Sequence, residues 1–325
     1  MGQKSRIVLT GGAGFIGSNV LALLNERGEQ DIVVVDELGS DEKWKNLVGK
    51  TFSEFVHKDA LFNWLEEHLH ECKAFIHLGA CSSTVETNAD YLMENNTQYS
   101  KRLAAFALKG GARFIYASSA ATYGDGSQGF SDDHALLEEL RPLNMYGFSK
   151  HLFDLWVKKE GLLDQFVGLK YFNVYGPNEY HKGRMSSAVL KMVPELHKKG
   201  ALQLFCSSEP TKFADGEQVR DFIHVRDAAE MTVQFLDNDL GGIFNIGCGR
   251  PETWKSLAEG VIEGCGGKGE IRFVPMPEDL LGKYQNYTCA ELSKSHAHKL
   301  YLPKRSLKEC VVDYVQNYIL PESYA

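Results

Sequence analysis

A glycine-rich turn near the start of the chain constrains the fold more than any other feature. The apolar run Ile7 to Thr10 leads directly into Gly11-Gly12-Ala13-Gly14-Phe15-Ile16-Gly17. Glycines at this spacing let backbone N–H groups approach a pyrophosphate, and the helix that follows presents its N-terminus to the anion. Two spacings are compatible, Gly12-x-Gly14-x-x-Gly17 and Gly11-x-x-Gly14-x-x-Gly17. Either one predicts a bound dinucleotide.

The next apolar run, Ile32 to Val35, ends in Asp36, at the distance at which an acid reaches the adenosine ribose in a Rossmann unit. Further β-branched runs alternate with segments of helical periodicity, which predicts an α/β fold with a Rossmann-type doubly wound parallel sheet. The predicted strands after the second are 74–78, 114–117, 167–171, 222–224 and 242–247.

Composition and charge limit the possible partners. The chain has 325 residues and a formal net charge of −8, which argues against nucleic acid or an anionic membrane as its main partner. Its seven cysteines are scattered without a Cys-x-x-Cys pair, so we expect reduced thiols, a cytoplasmic location and no metal site.

The regular alternation of strands and helices loosens after Tyr175-Gly176-Pro177. We therefore predict a cofactor-binding Rossmann domain over residues 1–175, with segments near 221–248 returning to it. Residues 176–325 are expected to form mainly a smaller α/β C-terminal lobe that binds the substrate.

A Tyr-x-x-x-Lys pair is the strongest catalytic signal. Tyr146 and Lys150 follow Pro142 at the predicted start of a helix, and their spacing places them on one helical face. A nearby ammonium favours the phenolate, so the pair can act as a base near neutral pH. Ser118 and Ser119 precede it at the carboxyl end of a strand, where a hydroxyl can bind the reacting oxygen.

These motifs resemble the extended short-chain dehydrogenase/reductase family, whose members act on nucleotide sugars with bound NAD or NADP. The resemblance implies that Ser119, Tyr146 and Lys150 are catalytic. Dehydratases of the family have an Asp-Glu pair after the strand-end Ser or Thr, whereas this chain has Ala120-Ala121. Epimerisation or simple oxidation is therefore expected rather than elimination of water.

Within the family, the chain most resembles the branch that inverts C6 of an ADP-linked heptose for the lipopolysaccharide core. The motifs that carry this resemblance are 79–84, 95–100, 118–124, 171–177 and 181–183. It implies a transient 6-keto sugar, reversible hydride transfer to bound NADP, and Lys182 as the second acid/base group. The alternatives are a UDP-sugar 4-epimerase, another nucleotide-sugar oxidoreductase, or a cofactor-binding protein without catalytic activity.

The same resemblance implies the residues around each ligand. Those expected at the cofactor are Gly11, Gly14, Phe15, Ile16, Gly17, Asp36, Glu37, Lys43, Lys58, Leu78, Gly79, Ala80, Cys81, Ser82, Asn95, Lys150 and Val174. Those expected at the nucleotide sugar are Asn173, Arg184, Lys191, Phe205, Cys206, Ser207, Ser208, Arg220 and Tyr284. Arg184, Lys191 and Cys206-Ser207 depart from the residues that close relatives have, so the pocket is expected to differ in detail.

The identity of the cofactor depends on opposing charges. Asp36 alone indicates NAD, because a carboxylate accepts a hydrogen bond from the ribose 2′-OH and repels a 2′-phosphate. Lys43 and Lys58 match lysines that bind the 2′-phosphate in the resembling enzymes, and they favour NADP over NAD. We expect one tightly bound cofactor per subunit and, by resemblance, a homo-oligomer that is a pentamer.

Overall fold

Strands and helices alternate along the first half of the chain. The structure is a computed structural model and describes residues 4–278 and 285–325. The strands, in chain order, are β1 (Arg6–Thr10), β2 (Ile32–Asp36), β3 (Glu54–His57), β4 (Cys72–His77), β5 (Arg113–Ser119), β6 (Phe166–Tyr171), β7 (Asn173–Tyr175), β8 (Ala201–Phe205), β9 (Val219–Arg220), β10 (Phe222–His224), β11 (Gly242–Ile246), β12 (Glu252–Thr253) and β13 (Glu270–Val274).

The α-helices connect these strands and cover their faces. They are α1 (Phe15–Glu26), α2 (Leu61–His68), α3 (Ala89–Leu92), α4 (Tyr99–Gly110), α5 (Met145–Lys159), α6 (Ala188–Lys199), α7 (Val225–Val233), α8 (Trp254–Gly264), α9 (Ser293–Ala297) and α10 (Leu307–Tyr314). A π-helical segment, Met93–Gln98, joins α3 to α4, and another, Val315–Ile319, continues α10. Short 3₁₀ turns include Ala120–Tyr123 after β5 and Tyr180–Met185 before α6.

A seven-stranded parallel sheet forms the centre of the fold. Its strand order is β11-β6-β5-β4-β1-β2-β3, and the order reverses between β1 and β4. This is the doubly wound order of a Rossmann fold with β11 added at one edge, so the predicted fold class is confirmed. Strand β3 was not predicted, because Val56 is its one fully buried residue and the apolar run is too short to recognise.

Each face of the sheet is buried under helices. Ile7 and Leu9 of β1 belong to the core beneath α1 and α7, whereas Val8 belongs to the core beneath α2 and α4. Successive side chains of a strand point to opposite faces. The strands therefore read as continuous apolar runs, as expected of a parallel sheet with both faces covered.

The second half of the chain adds a smaller α/β unit. Strands β8 and β13 pair in parallel, and a separate core of residues between 175 and 319 packs around α6, α8 and α10. Strand β11 returns to the main sheet beside β6. Strand β10, at 222–224, instead pairs with β7 in a two-stranded sheet. The domain division near residue 175 stays a prediction.

The turn between β1 and α1 has no room for side chains at two of its glycines. Gly11 has a φ of +71°, and a Cβ there would lie 2.6 Å from the Gly79 nitrogen. A Cβ on Gly17 would lie 2.0 Å from the Gly11 carbonyl oxygen, and one on Gly14 would lie 3.0 Å from the same atom. The contacts thus favour the Gly11-x-x-Gly14-x-x-Gly17 spacing, because α1 rests directly on the Gly11 carbonyl.

We expect Gly17→Ala to lower the free energy of unfolding by about 3 kcal/mol, because the methyl group forces α1 away from the turn. Gly161→Ala is a control without crowding: φ there is +69°, whereas Gly17 is not among the glycines with positive φ, and no atom lies within 4 Å of a Cβ on Gly161. Backbone strain alone should then cost about 1 kcal/mol. Urea unfolding of both variants measures the two losses, and a loss in Gly17→Ala no larger than that in Gly161→Ala would contradict the expected cost of crowding at the Gly11 carbonyl.

Candidate active site

A cavity of about 790 Å³ opens at the carboxyl ends of β1, β4, β5 and β6, next to the second unit. Residues from both halves of the chain line it. The predicted site residues found on its wall are Gly11, Gly14, Phe15, Ile16, Gly17, Asp36, Lys43, Leu78, Gly79, Ala80, Cys81, Ser82, Ser119, Tyr146, Lys150, Asn173, Val174, Lys182 and Lys191.

Tyr146, Lys150 and Ser119 meet on one wall of this cavity. Tyr146 and Lys150 lie in the first turns of α5, and the Ser119 hydroxyl lies near enough to the Tyr146 phenol to lower its pKa. Burial raises the pKa of Tyr146, and the contact with Ser119 opposes that rise. Burial lowers the pKa of Lys150 to about 8, and its ammonium donates to the Ala117 carbonyl oxygen at 3.0 Å. The predicted acid/base set is therefore assembled in space.

The two serines at the end of β5 have different partners. The Ser119 Oγ accepts a hydrogen bond from the Ala121 N–H at 3.1 Å and faces Tyr146. The Ser118 Oγ donates to the Asp154 carboxylate at 2.6 Å. Because Ser118 is held by this buried acid, Ser119 is the hydroxyl placed to act beside Tyr146.

Asn96, which was not among the predicted site residues, joins α5 to the loop after β4. Its side chain accepts from the Cys81 N–H at 2.9 Å and donates to the Cys81 carbonyl at 3.0 Å. It also donates to Ser149 Oγ at 3.0 Å, one residue before Lys150. Asn95 contacts Asn96 and is not on the cavity wall. The π-helical segment turns Asn96 inward, and no local sequence pattern marks that change.

The edge of the cavity near Asp36 carries two acid–lysine pairs. The buried Asp36 carboxylate accepts from the Ala13 N–H at 2.9 Å and from the Lys43 ammonium at 2.6 Å. Lys58 pairs with Glu37 at 2.6 Å, outside the cavity wall. This pairing lowers the pKa of Glu37 and raises that of Lys58. The lysines predicted to decide cofactor choice thus lie beside the acids that oppose them.

Lys182 enters the cavity from the 3₁₀ turn before α6. Its ammonium lies 5.0 Å from the centre of the Phe15 ring, at the start of α1. Burial lowers the pKa of Lys182, and the nearby carboxylate of Glu179 opposes the shift. Glu179 is fully buried and accepts from Ser187 Oγ at 2.6 Å and from the Tyr314 hydroxyl at 3.0 Å. The turn that carries Lys182 is thus anchored to the second unit.

The structure fits a dinucleotide along β1 and α1. Among residues 4–278 and 285–325, no side chain caps the N-terminus of α1 at Gly14, and Phe15 and Ile16 line the cavity there. The first N–H groups of a helix form an anion-binding site when no cap uses them. The close glycine contacts leave this site open to a pyrophosphate.

Several predicted residues do not lie on the cavity wall. They are Glu37, Lys58, Asn95, Arg184, Phe205, Cys206, Ser207, Ser208 and Arg220. Arg220 is buried near the wall, with its guanidinium carbon 5.9 Å from the centre of the Trp254 ring, which lines the cavity. Tyr284 lies outside the described residues. The roles of all these residues stay predictions.

The cavity also contains residues that were not among the predicted site residues. His181 is held by Asn46, and burial lowers its pKa to about 4. The second unit contributes an apolar wall, which has no motif of its own because its members are far apart in sequence. These residues are Met185, Ala188, Val189, Phe222, Trp254 and Leu257.

Residues 7–247 match the model of the NAD dependent epimerase/dehydratase family. The chain belongs to this family. It is therefore an enzyme of the epimerase/dehydratase class, and its cofactor is a nicotinamide dinucleotide. In the part of the chain that the structure describes, no helix is long and apolar enough to cross a membrane.

Individual members of the family are similar over nearly the whole chain. ADP-L-glycero-D-manno-heptose-6-epimerase of Nitratidesulfovibrio vulgaris strain DP4 is 48% identical over 96% of this chain and 97% of its own length. The crystal structure of the Helicobacter pylori enzyme of that name is 28% identical, with a TM-score of 0.81 over 97% of this chain and 96% of that one. UDP-glucose 4-epimerase of Thermus thermophilus, solved in complex with NAD, is 25% identical, with a TM-score of 0.73 over 96% and 99% of the two chains.

A second buried lysine lies on β6, opposite Ser118 of β5. Lys170 of β6 is fully buried and has no hydrogen-bond partner among the described residues, and its ammonium lies 3.9 Å from the Asp154 carboxylate. Burial lowers the pKa of Lys170 from 10.5 to about 8. Between pH 8 and 10.5, therefore, Lys170 is mostly protonated in the unfolded chain and mostly neutral in the folded chain.

Between pH 8 and about 9.5 the free energy of unfolding of the natural protein should rise relative to that of Lys170→Met. The expected gain is about 2 kcal/mol, because stability increases with pH wherever the unfolded state holds more protons. Urea unfolding across this range measures it. A constant difference between the two proteins would mean that Lys170 titrates near its usual pH when folded.

Proposed function

We propose that this chain is an ADP-L-glycero-D-manno-heptose 6-epimerase, which inverts C6 of ADP-D-glycero-D-manno-heptose in the synthesis of the lipopolysaccharide core. Relatives with that name are 43–48% identical over nearly the whole chain. The observation that carries the proposal is that two proton-transferring groups, Tyr146 and Lys182, line one cavity from different elements. Inversion by transient oxidation needs an acid/base group for the C6 oxygen in each of the two orientations of the sugar, and Tyr146 and Lys182 are the candidates for these two roles.

In the first half of the reaction, Tyr146 accepts the proton of the C6 hydroxyl. The chemistry that a bound nicotinamide cofactor would supply is reversible hydride transfer from C6 and back to it. The Lys150 ammonium favours the phenolate of Tyr146, and the Ser119 hydroxyl binds the sugar oxygen as it becomes a ketone. Positioned acid/base groups of this kind contribute about 10²- to 10⁴-fold in rate.

In the second half, the 6-keto sugar turns over and its oxygen is protonated by Lys182. A lysine is a poor acid/base group near neutrality at its usual pKa, and the burial that lowers the pKa of Lys182 brings it closer to that range. Ala120 and Ala121 occupy the turn after Ser119, so this turn offers no carboxylate to expel water from the ketone. The sugar is therefore released as its C6 epimer.

The purified protein should convert ADP-D-glycero-D-manno-heptose to the L-glycero epimer without added cofactor, as followed by proton NMR. Tyr146→Phe should reduce the rate about 10³-fold because the base is lost. Tyr175→Phe is a matched control: Tyr175 lines the same cavity but its hydroxyl contacts Cys310. It should retain most of the activity.

Two outcomes would contradict the proposal. Turnover of UDP-galactose with no change in ADP-heptose would identify a UDP-sugar 4-epimerase instead. Solvent deuterium incorporated at C6 would indicate removal of a proton from carbon rather than transfer of a hydride.

We further propose NADP as the cofactor. Lys43 and Lys58 neutralise Asp36 and Glu37, so the edge of the cavity carries no excess of negative charge to repel a 2′-phosphate. Both lysines can turn from these acids to the phosphate, which forms stronger charge-assisted hydrogen bonds than a ribose hydroxyl does.

The cofactor released on denaturation should be NADP, as identified by mass spectrometry. In Lys43→Met, the ratio of NADP to NAD affinity should fall about ten-fold, the effect of losing about 1.4 kcal/mol of charge-assisted bonding. Lys45→Met is the control, because Lys45 pairs with Glu42 and is not on the cavity wall. Release of NAD, or equal effects of both variants, would argue for NAD. The homo-oligomeric state, a pentamer by resemblance, and the cytoplasmic location stay predictions.

A further inference from the structure

Asp154 continues the line of catalytic residues on α5 into the protein interior. Tyr146, Lys150 and Asp154 follow one another at intervals of four residues, which places them on one face of the helix. Tyr146 and Lys150 line the cavity, whereas Asp154 lies one turn deeper and none of its surface is exposed. A fully buried carboxylate this close to the active site needs a reason, because its desolvation is costly.

The neighbours of Asp154 fix its carboxylate and favour its ionised form. Ser118 Oγ donates to Oδ2 at 2.6 Å, and the Tyr116 hydroxyl donates to Oδ1 at 3.1 Å. The Lys170 ammonium lies 3.9 Å from Oδ2 and 4.3 Å from the centre of the Tyr123 ring. Two donated hydrogen bonds and an adjacent cation oppose the effect of burial, which raises the pKa of Asp154.

Lys150 has little else to hold its charge. Its ammonium donates to a neutral acceptor, the Ala117 carbonyl, and only 4% of the residue is exposed to water. Asp154 opposes the lowering of its pKa by burial. Within the described residues, the titratable groups that interact with Lys150 or with its neighbours Asp154 and Lys170 are His77, Cys81, Tyr116, Tyr123, Asp132, His151 and Lys294.

We propose that Asp154 is a positioning residue for Lys150: its buried carboxylate keeps that lysine in the ammonium form and so keeps Tyr146 usable as a base. The inference rests on the proposed catalytic role of Lys150. Lys170 balances the carboxylate from the other side and stops Asp154 from taking up a proton. The active site thus has an electrostatic support that does not touch the substrate.

The charge on Lys150 can be measured without any substrate. Competitive labelling with acetic anhydride across a pH series, followed by mass spectrometry of the peptide containing Lys150, reports the fraction of neutral amine. In Asp154→Asn the midpoint should fall by about one pH unit from its natural value of about 8, which is about five-fold more labelling at pH 7. Tyr116→Phe is the matched control, because it removes one hydrogen bond from the same carboxylate and no charge. Its midpoint should stay that of the natural protein.

An unchanged midpoint in Asp154→Asn would overturn the proposal, and so would an equal shift in Tyr116→Phe, which would show loosened packing rather than a lost charge. If the asparagine variant does not fold, Asp154→Ser provides the same test with a smaller neutral residue.

Activity in the same variants separates this proposal from the proposed function. If Lys150 acts as described, the alkaline limb of the epimerisation rate moves to lower pH by the same amount as the labelling midpoint. A labelling shift without that movement confirms the coupling of Asp154 to Lys150 and contradicts the catalytic role of Lys150.

Discussion

The close contact between α5 and the turn after β5 is the constraint on which the active site depends. A Cβ on Gly147 would lie 2.7 Å from the Ala121 carbonyl oxygen, so the helix approaches that turn more closely than any side chain would allow. Asn144 caps the helix at this point by accepting from the Gly147 N–H at 2.8 Å. At this distance Ser119 reaches Tyr146, and Lys150 reaches the Ala117 carbonyl. If α5 lay farther from this turn, Ser119, Tyr146 and Lys150 could not reach the same ligand.

The parts of the site that were predictable are those set by local spacing. The glycine turn and the Tyr146–Lys150 pair depend on contacts within a few residues, so the sequence shows them directly. Asn96 was missed because one irregular stretch of helix decides which of two adjacent asparagines points inward. Asp154 and Lys170 were missed because an acid in a helix and a lysine in a strand are usually surface residues. Only the packing of α5 and β6 against their neighbours shows that both are buried. Residues 205–208 of the second unit were expected at the substrate, but they do not lie on the cavity wall. Their position depends on loops, which have no periodic sequence pattern.

Charge is distributed unevenly over the molecule. The chain as a whole carries a net charge of −8, yet Lys43, Lys150, Lys182 and Lys191 line the cavity with Asp36 as its one carboxylate among the described lining residues. Local lysines can therefore attract an anionic nucleotide to a protein that repels it elsewhere. The acid–lysine pairs of the molecule also differ in depth: Lys43 meets Asp36 at the rim, where solvent screens the pair, whereas Lys170 lies 3.9 Å from Asp154 in the interior, where water cannot screen the charges.

The π-helical segment Met93–Gln98 has a consequence for how this enzyme tolerates changes of length. A π-helical turn accommodates one more residue than a regular helix does, and each residue advances the helix by about 100°. Deleting one residue other than Asn96 here would leave a more regular helix and keep Asn96, Cys81 and Ser149 in the chain, yet it would rotate Asn96 away from the other two. The position of α5 therefore depends on a residue count as well as on residue types. A comparison of sequences that ignores gaps of one residue would overlook this.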